Sequence, residues 1–473
     1  MLQAGFANRC ITPPLGREVP GLFERRLAEG VHDDLYVRAA VIDDGATCLA
    51  MVQTDAVKVS EQVVGKARKE ASRLCGIRAK NCFISATHTH SGGPIFGGFL
   101  SEGDTDYAPF VAQQIASAIA EAYRVRRPAL VGANTDQAVG VAFNRRFVMK
   151  DGSQKTHPGK MHPDIAEPAG PADPTVTVVG FLDTAQWRPL GCIVNFACHA
   201  THMNGYLYSA DYVRWVVATL KAVHGPHFGV VYLNGACGDV TQVDNCSPRP
   251  SEFGPYWCER SGRIIGGGAV QALARIDYLR KATVDVRATK VRAAIRSSTP
   301  KARKAARDLL AKKAVTHEDI ETIYASELLQ VERLRRQNSA RSLEIMGIRL
   351  ADALFWGVPG EFFQDFAMDV RQASPFPHTC CVELANGYNG YICTKEAFRG
   401  GGYEVRTARS SLLEQDAGCK IARAAKGLSK RMYADAETEL RALPTRRIWP
   451  EFKDPAALDG ISQLSKKSKR DKG

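Results

Sequence analysis

Apolar, β-rich runs alternate with helical patterns along most of the chain. Such an alternation is typical of α/β proteins, in which helices cover a sheet. We therefore expect an α/β fold with a layered mixed β-sheet core flanked by helices. The predicted elements are two strands joined by a turn at Asp44-Gly45, a helix at 58–75, a strand at 81–87, a helix at 110–127, and strands at 190–198 and 228–235.

Two stretches depart from this alternation. Residues 300–343 are charged and helix-forming, with an interruption near residue 316, so they predict a helical hairpin inserted into the sheet domain. Residues 149–174 are rich in Pro, Gly and charge, which predicts a loop. We expect one large domain over residues 1–450 and a basic, flexible tail over 451–473.

Composition and charge narrow the class of protein. The 473 residues are 45% hydrophobic and 24% charged, which excludes a disordered or fibrous chain. The net charge is +13, but its main clusters, in the last ten residues and between 301 and 313, contain no interleaved aromatic residues. This pattern favours a solvated surface over a nucleic-acid partner, and it leaves a weak anionic docking patch as the alternative.

Cysteine usage and hydropathy bear on the compartment. The 13 cysteines include no CxxC pair, which indicates free thiols in a reducing environment. No run approaches the roughly 18 apolar residues of a membrane span, and the N-terminal pattern is not that of a secretory signal. We therefore expect a soluble, cytoplasmic protein without a transmembrane segment. The sequence does not predict its oligomeric state.

Histidines follow two apolar strands. In SATHTHSGG, residues 85–93, His88 and His90 stand two residues apart, so an extended backbone places them on the same side. His199 ends the strand CIVNFAC, at the edge where open α/β sheets bind ligands. The pair favours a divalent metal site, while capping or core histidines are the alternative.

Three further segments carry candidate polar groups. Gly238-Asp239 and Thr241 follow the strand FGVVYLNG, and the glycine turn suits either an anion cradle or a plain tight turn. Glu361 follows a Pro-Gly turn, where a helix first-turn acid is the alternative. Glycines flank both tyrosines of NGYNGY, residues 386–391, which favours a phenol aimed into a site by the backbone, while ordinary buried aromatics are the alternative.

Taken together, these segments resemble the catalytic domain of the neutral/alkaline non-lysosomal ceramidases over roughly residues 4–425. The resemblance begins at GFANRCITPP and is most specific at THTHSG. It implies hydrolysis of an N-acyl amide with one zinc ion held by two histidines, a glutamate and a tyrosine. The metal ligands it implies are His88, His199, Glu361 and Tyr391, the second tyrosine of NGYNGY.

The resemblance also implies catalytic residues. His90 matches a residue that contacts the reacting carbonyl, Arg145 in FNRRF an arginine that lines the site, and Tyr403 in GGYEV a tyrosine that polarises the carbonyl. Thr241 takes the place of the family's serine, because GDVSPN reads GDVTQV here. The attacking oxygen is then either the Thr241 hydroxyl or a zinc-activated water. A C-terminal immunoglobulin-like domain and an export signal, both found in the family, are not recognised.

These matches lead to three hypotheses. The first is a zinc hydrolase of an amide bond in a small-molecule or lipid-like substrate. The second is a zinc hydrolase of a different bond, such as an ester or a glycoside, on the same scaffold. The third is a family member that binds a ligand without turnover. We also expect Asp55 and Asp211 to orient the ligand histidines, with a helix-capping role for either as the alternative.

Overall fold

The computed structural model describes residues 2–279, 281–442 and 447–448. Helix α1 illustrates how the sequence sets the helices: Ser60 caps it by accepting a hydrogen bond from the Val63 N–H, and Gly76 ends it in the left-handed conformation. The described residues contain ten α-helices: α1 (Glu61–Cys75), α2 (Tyr107–Arg124), α3 (Tyr212–His224), α4 (Pro255–Ala274), α5 (Pro300–Leu310), α6 (Ile320–Gln337), α7 (Gln364–Ala373), α8 (Lys395–Gly400), α9 (Ala417–Ala434) and α10 (Glu437–Ala442).

The strands are mostly short, and the longest lie in two large sheets. In chain order the described strands are β1 (Gln3–Cys10), β2 (Gly30–Val31), β3 (Tyr36–Asp43), β4 (Cys48–Thr54), β5 (Cys82–Ala86), β6 (Arg127–Gln137), β7 (Phe143–Asn144), β8 (Arg146–Met149), β9 (Gln154–Thr156), β10 (Ile165–Pro168), β11 (Thr175–Asp183), β12 (Arg188–Phe196), β13 (Leu207–Tyr208), β14 (Gly229–Asn234), β15 (Val240–Thr241), β16 (Tyr278–Leu279), β17 (Val284–Ala294), β18 (Ala340–Leu350), β19 (Ala353–Gly357), β20 (Glu361–Phe362), β21 (His378–Val382), β22 (Tyr391–Ile392) and β23 (Arg447–Ile448).

The larger sheet has the order β14-β12-β11-β6-β1-β3-β4-β5, with β16 beside β6 and β23 beside β16. The smaller sheet has the order β17-β18-β19-β21. Each sheet is mixed: β12 and β14, β4 and β5, and β19 and β21 are parallel pairs, whereas the other main pairs are antiparallel. This arrangement confirms the predicted layered mixed sheet.

The core is built in four layers. The two sheets pack face to face through a cluster that includes Phe83, Phe181, Ile348 and Phe355. Helices α1 and α2, and then α3 and α4, cover the outer face of the larger sheet. Helices α7 and α9 cover the smaller sheet. Because both faces of each sheet are buried, strands such as β5 and β14 are mostly apolar and buried along almost their whole length, as expected for doubly covered strands.

The expectations for the two irregular stretches have different outcomes. The helical hairpin is confirmed: α5 and α6 lie between the paired strands β17 and β18. The prediction of a loop over 149–174 is wrong in part, because β9 and β10 flank β8 in a small antiparallel sheet there. These strands are short and largely exposed, so they carry no apolar alternation that the sequence could reveal. The predicted tail at 451–473 lies outside the described residues, and the single domain over 1–450 stays a prediction.

Several parallel strands end at one edge of the molecule. The segment that follows β21 links the sheets there, since the Asn386 N–H donates to the Ile84 carbonyl and the Asn386 side chain accepts from the Ile84 N–H. The ends of β5, β12, β19 and β21 are thus drawn together. Among the described residues, no helix has the length and apolar character that crossing a bilayer requires.

Candidate metal and catalytic site

Three imidazoles converge just beyond these strand ends. His88 follows β5 with a positive φ of 67°, and His199 follows β12. The Nε2 atoms of His88 and His199 are 3.1 Å apart, and His90 Nε2 lies 3.4 Å from His88 Nε2. His88 and His199 are almost fully buried, at 2% and 1% exposed. The positive φ at His88 is unusual for a non-glycine residue, so its neighbours must hold that conformation.

Backbone carbonyls fix how the imidazoles point. His88 Nδ1 donates to the Val57 carbonyl at 2.8 Å, and His199 Nδ1 donates to the Val240 carbonyl at 3.1 Å. A carbonyl can only accept, so each neutral ring carries its proton on Nδ1 and a lone pair on Nε2. The guanidinium of Arg145, a pure donor, lies 3.1 Å from His199 Nε2 and agrees with that assignment. The lone pairs therefore face one another across about 3 Å.

Glu361 completes the cluster from the second sheet. Its Oε2 atom lies 3.3 Å from His88 Nε2 and 3.5 Å from His199 Nε2, and it has no hydrogen-bond partner among the described residues. Its other oxygen accepts a hydrogen bond from the Tyr388 hydroxyl at 2.7 Å. Burial raises the pKa of Glu361, but its position beside His88 and His199 holds that pKa well below its usual range.

This donor set fits a divalent cation. The nitrogens of His88, His90 and His199 all lie within 4.8 Å of one another, and the unpartnered oxygen of Glu361 faces two of them. Burial and the charge on Arg145 lower the pKa of His199 to about 3, so His199 is neutral at physiological pH. Neutral imidazoles and a carboxylate are the ligands that zinc and related metals take in proteins.

Two phenols and a guanidinium stand beside the cluster. Tyr391 pairs with Glu361 in the parallel strands β22 and β20, and its ring centre lies 5.9 Å from that of Tyr403. The guanidinium carbon of Arg145 lies 5.4 Å and 5.2 Å from these two ring centres. Burial raises the pKa of Tyr403 above its ordinary value, although Arg145 opposes the shift, so its hydroxyl stays protonated.

Thr241 lies in β15, which pairs with β7. Arg145 follows β7 directly in the chain. The Thr241 hydroxyl donates to the Gln242 side-chain oxygen at 2.8 Å, and the Thr201 hydroxyl donates to the same oxygen. The glycine turn before it packs tightly, because a Cβ on Gly238 would lie 2.7 Å from the Glu361 carbonyl oxygen.

Most N–H groups of that turn are engaged within the protein rather than open to an anion. The N–H groups of Gly235, Cys237, Gly238 and Val240 all donate within the protein. Asp239 instead accepts from the Gln364 N–H at the start of α7. The structure thus agrees with the plainer alternative of a tight turn stabilised by Asp239.

Two buried carboxylates support the site and were not predicted. Glu404 accepts hydrogen bonds from Arg145 at 3.1 Å and from Arg146 at 2.7 Å, which holds the Arg145 guanidinium in place. Glu383 accepts from the N–H groups of Cys237 and Phe362, so it ties the glycine turn to β20. Burial raises the pKa of Glu383 to about 7, although the proximity of His88 and the hydrogen bonds from Cys237 oppose this shift.

The predicted orienting role of Asp55 and Asp211 is wrong. Asp55 accepts from Arg38 and Gln53 within the larger sheet. Asp211 accepts from His202 Nδ1 at 2.8 Å, rather than from His199. Main-chain carbonyls perform the role instead, and a sequence carries no signal that distinguishes one carbonyl from another.

The cluster forms a buried part of the wall of a cavity of about 480 Å³. Aromatic side chains form much of its wall, and Glu327 and Leu334 of α6 contribute to it. The inserted hairpin is therefore part of the cavity wall. Lys58, which the sequence analysis did not single out, also lines it. Its ammonium lies 3.8 Å from the ring centre of Phe96 and 4.1 Å from that of Tyr388.

Comparison with solved structures gives the same architecture. A crystal structure of neutral ceramidase from Pseudomonas aeruginosa matches with a TM-score of 0.69 and 18% identity, over 91% of this chain and 75% of that one. The protein has a neutral-ceramidase-like fold. A ceramidase complexed with C2 matches with a TM-score of 0.68 and 19% identity over the same shares. No protein-family model and no curated protein sequence matches the chain. The ceramidase-like fold expected from the sequence motifs is therefore confirmed.

Proposed function

We propose that the protein is a metal-dependent hydrolase of N-acyl amides, with zinc as the metal. The observation that carries the proposal is the convergence of three imidazoles and the unpartnered Glu361 oxygen at a buried part of a cavity wall. We assign His88, His199, Glu361 and Tyr391 as metal ligands. The ceramidase-like fold supports an amide as the bond that is cleaved.

A divalent metal held there would polarise the amide carbonyl and lower the pKa of water towards about 7. The chain's own groups bind and orient the substrate. We assign Tyr403 as a hydrogen-bond donor to the oxyanion that develops at the carbonyl, because its hydroxyl stays protonated. Arg145, held by Glu404, adds a fixed positive charge beside it. His90 lines the same part of the cavity and contacts the reacting carbonyl.

We assign the attack to water rather than to Thr241. The Thr241 hydroxyl proton is directed at the Gln242 amide oxygen, which is not a base, so this contact does not activate the hydroxyl. Replacing Thr241 by Ala is therefore expected to lower kcat by less than about 10-fold. A hydroxyl nucleophile would instead cost about 10³-fold or more. Steady-state rates on one amide substrate, with Ser153→Ala as an exposed control, distinguish these results.

The test of the function is a matched hydrolysis screen. The zinc-loaded protein is offered a lauroyl amide, a lauroyl ester and a glucoside that release coumarin-type fluorophores. We expect cleavage of the amide that is lost on chelation and in His88→Ala, and retained in His227→Ala, whose side chain is exposed. Cleavage of the glucoside or the ester without the amide would contradict the proposal.

A further inference from the structure

Lys58 presents to the cavity an ammonium that forms no direct ion pair with a described carboxylate. Its ammonium is enclosed by the rings of Phe96 and Tyr388, at 3.8 Å and 4.1 Å from their centres. Within residues 2–279 and 281–442, no carboxylate lies within ion-pair distance of it. Aromatic faces attract a cation but supply no counter-ion. A partly buried ammonium in this position retains the capacity to bind an anion.

The carboxylates on the cavity wall are already engaged. Glu361 accepts from Tyr388 with one oxygen and directs the other at the imidazoles. Glu327 is bound by Arg409 through several hydrogen bonds of 2.5–3.1 Å. Neither side chain forms an ion pair with Lys58: Glu361 faces His88 and His199, and Glu327 pairs with Arg409.

A second cation adds to the positive field. Arg341, at the start of β18, lines the same cavity, and its buried Nε has no hydrogen-bond partner in the described part of the chain. No carboxylate there forms an ion pair with it either. The cavity therefore holds excess positive charge before any metal cation is added, and such a field favours an anionic ligand.

We propose that Lys58 binds an anionic group of the substrate, a carboxylate or a phosphate, so that the protein prefers anionic N-acyl amides to neutral ones. The inference rests on the proposed function, because it concerns the same cavity. Burial lowers the pKa of Lys58 to about 7, an effect that Glu361 opposes and that a bound anion would oppose further. Tyr388 lies between the two sites: its ring contacts Lys58 and its hydroxyl contacts Glu361.

The test uses ligands that cannot be hydrolysed. In 4-oxopentadecanoate a methylene replaces the amide nitrogen of N-lauroylglycine. The keto alcohol 1-hydroxypentadecan-4-one is its neutral counterpart, and the phosphate ester of that alcohol is the second anion. Calorimetry on the zinc-loaded protein is expected to show that at least one anion binds about 30-fold more tightly than the alcohol. The better anion identifies the group that Lys58 recognises.

Substitutions assign the preference to one side chain. We expect Lys58→Met to lose at least about 10-fold in affinity for the anion and to leave the alcohol unchanged. Lys58→Arg should keep the preference, and Lys66→Met, an exposed control on α1, should not change it. Equal binding of anion and alcohol by the wild type, or an unchanged preference in Lys58→Met, would overturn the inference. Because binding is read without turnover, this result is independent of the amide-hydrolysis screen.

Discussion

The tyrosine that supports Glu361 is the first point to test at the level of single residues. The Tyr388 hydroxyl donates to Glu361, whereas the proposed ligand is Tyr391. Loss of a hydrogen bond to a metal-binding carboxylate lowers metal affinity by about 10–100-fold, and we expect this of Tyr388→Phe. Tyr391→Phe is expected to lose at least as much. Competition with a fluorescent zinc chelator measures both variants.

Tyr256→Phe is the matched control, because Tyr256 is 71% exposed. Wild-type affinity in Tyr391→Phe would contradict its assignment as a ligand. Wild-type affinity in Tyr388→Phe would show that its hydrogen bond does not support Glu361.

Sequence predicted some of these residues better than others. His88 and His199 each follow an apolar strand directly, so the chain itself indicates that they lie at a strand end. No comparable sequence pattern marks Glu404 or Lys58 as part of a site. Glu404 is defined by its contacts with Arg145 and Arg146, and Lys58 by two rings from other segments. Such groups depend on tertiary contacts that no local pattern encodes.

The α5–α6 hairpin is the element whose role is most open to experiment. Tyr324 of α6 packs edge-on against Phe23, with ring centres 5.9 Å apart, and the guanidinium of Arg406 lies 3.7 Å from its ring centre. Phe23 lines the cavity, and this aromatic pair, worth about 0.5–1.5 kcal/mol, holds it in place. Tyr324→Ala should therefore loosen the cavity wall and raise KM for a long-chain amide by up to about 10-fold.

The kinetic constants of Tyr324→Ala distinguish a helix that forms the cavity wall from one that takes part in catalysis. In Tyr324→Ala, kcat and zinc content should stay close to the wild-type values, as they should in Tyr256→Ala. A lower kcat at unchanged KM would contradict the role of α6 as a wall. Initial rates over a range of substrate concentrations give both constants.

The helices and strands that the sequence predicts are those with long patterns of hydrophobic and polar residues. Helix α1 was expected at 58–75 and begins at Glu61, because Ser60 is its cap. The short strands β9 and β10 were missed, since three or four largely exposed residues show no periodicity. Their pairing with β8 depends on neighbours in space.

At the scale of the whole molecule, a buried acid is expected to make stability depend on pH. Burial raises the pKa of Asp239 to about 7, although the Gln364 N–H opposes this shift. The folded state then holds a proton that the unfolded state releases at lower pH. The stabilisation from Asp239 is full below its unfolded pKa, near 4, and is lost as the pH rises towards 7, by about 1.4 kcal/mol per unit.

Asp239→Asn keeps the side chain neutral and removes this dependence. The melting temperature of the wild type should therefore fall, relative to that of Asp239→Asn, between pH 5 and pH 7. Asp164→Asn, at an exposed position, should follow the wild type. If the melting temperatures of the wild type and Asp239→Asn change in parallel with pH, the Asp239 carboxyl does not hold its proton.

The four-layer architecture could be predicted only in part. Alternating strands and helices indicated a layered sheet, but not that two sheets pack face to face through residues such as Phe83 and Phe355. Buried strands of either sheet have the same apolar composition. Composition therefore does not assign a strand to one sheet or the other, and only the pairing between strands in the folded protein does.

The central claim is that side chains from distant segments bind one metal ion. Elemental analysis of the purified, zinc-saturated protein tests it most directly. We predict about one zinc per chain in the wild type and in His227→Ala, and less than about 0.1 in folded His88→Ala, His199→Ala and Glu361→Gln. A full zinc equivalent in His88→Ala and His199→Ala would contradict the account.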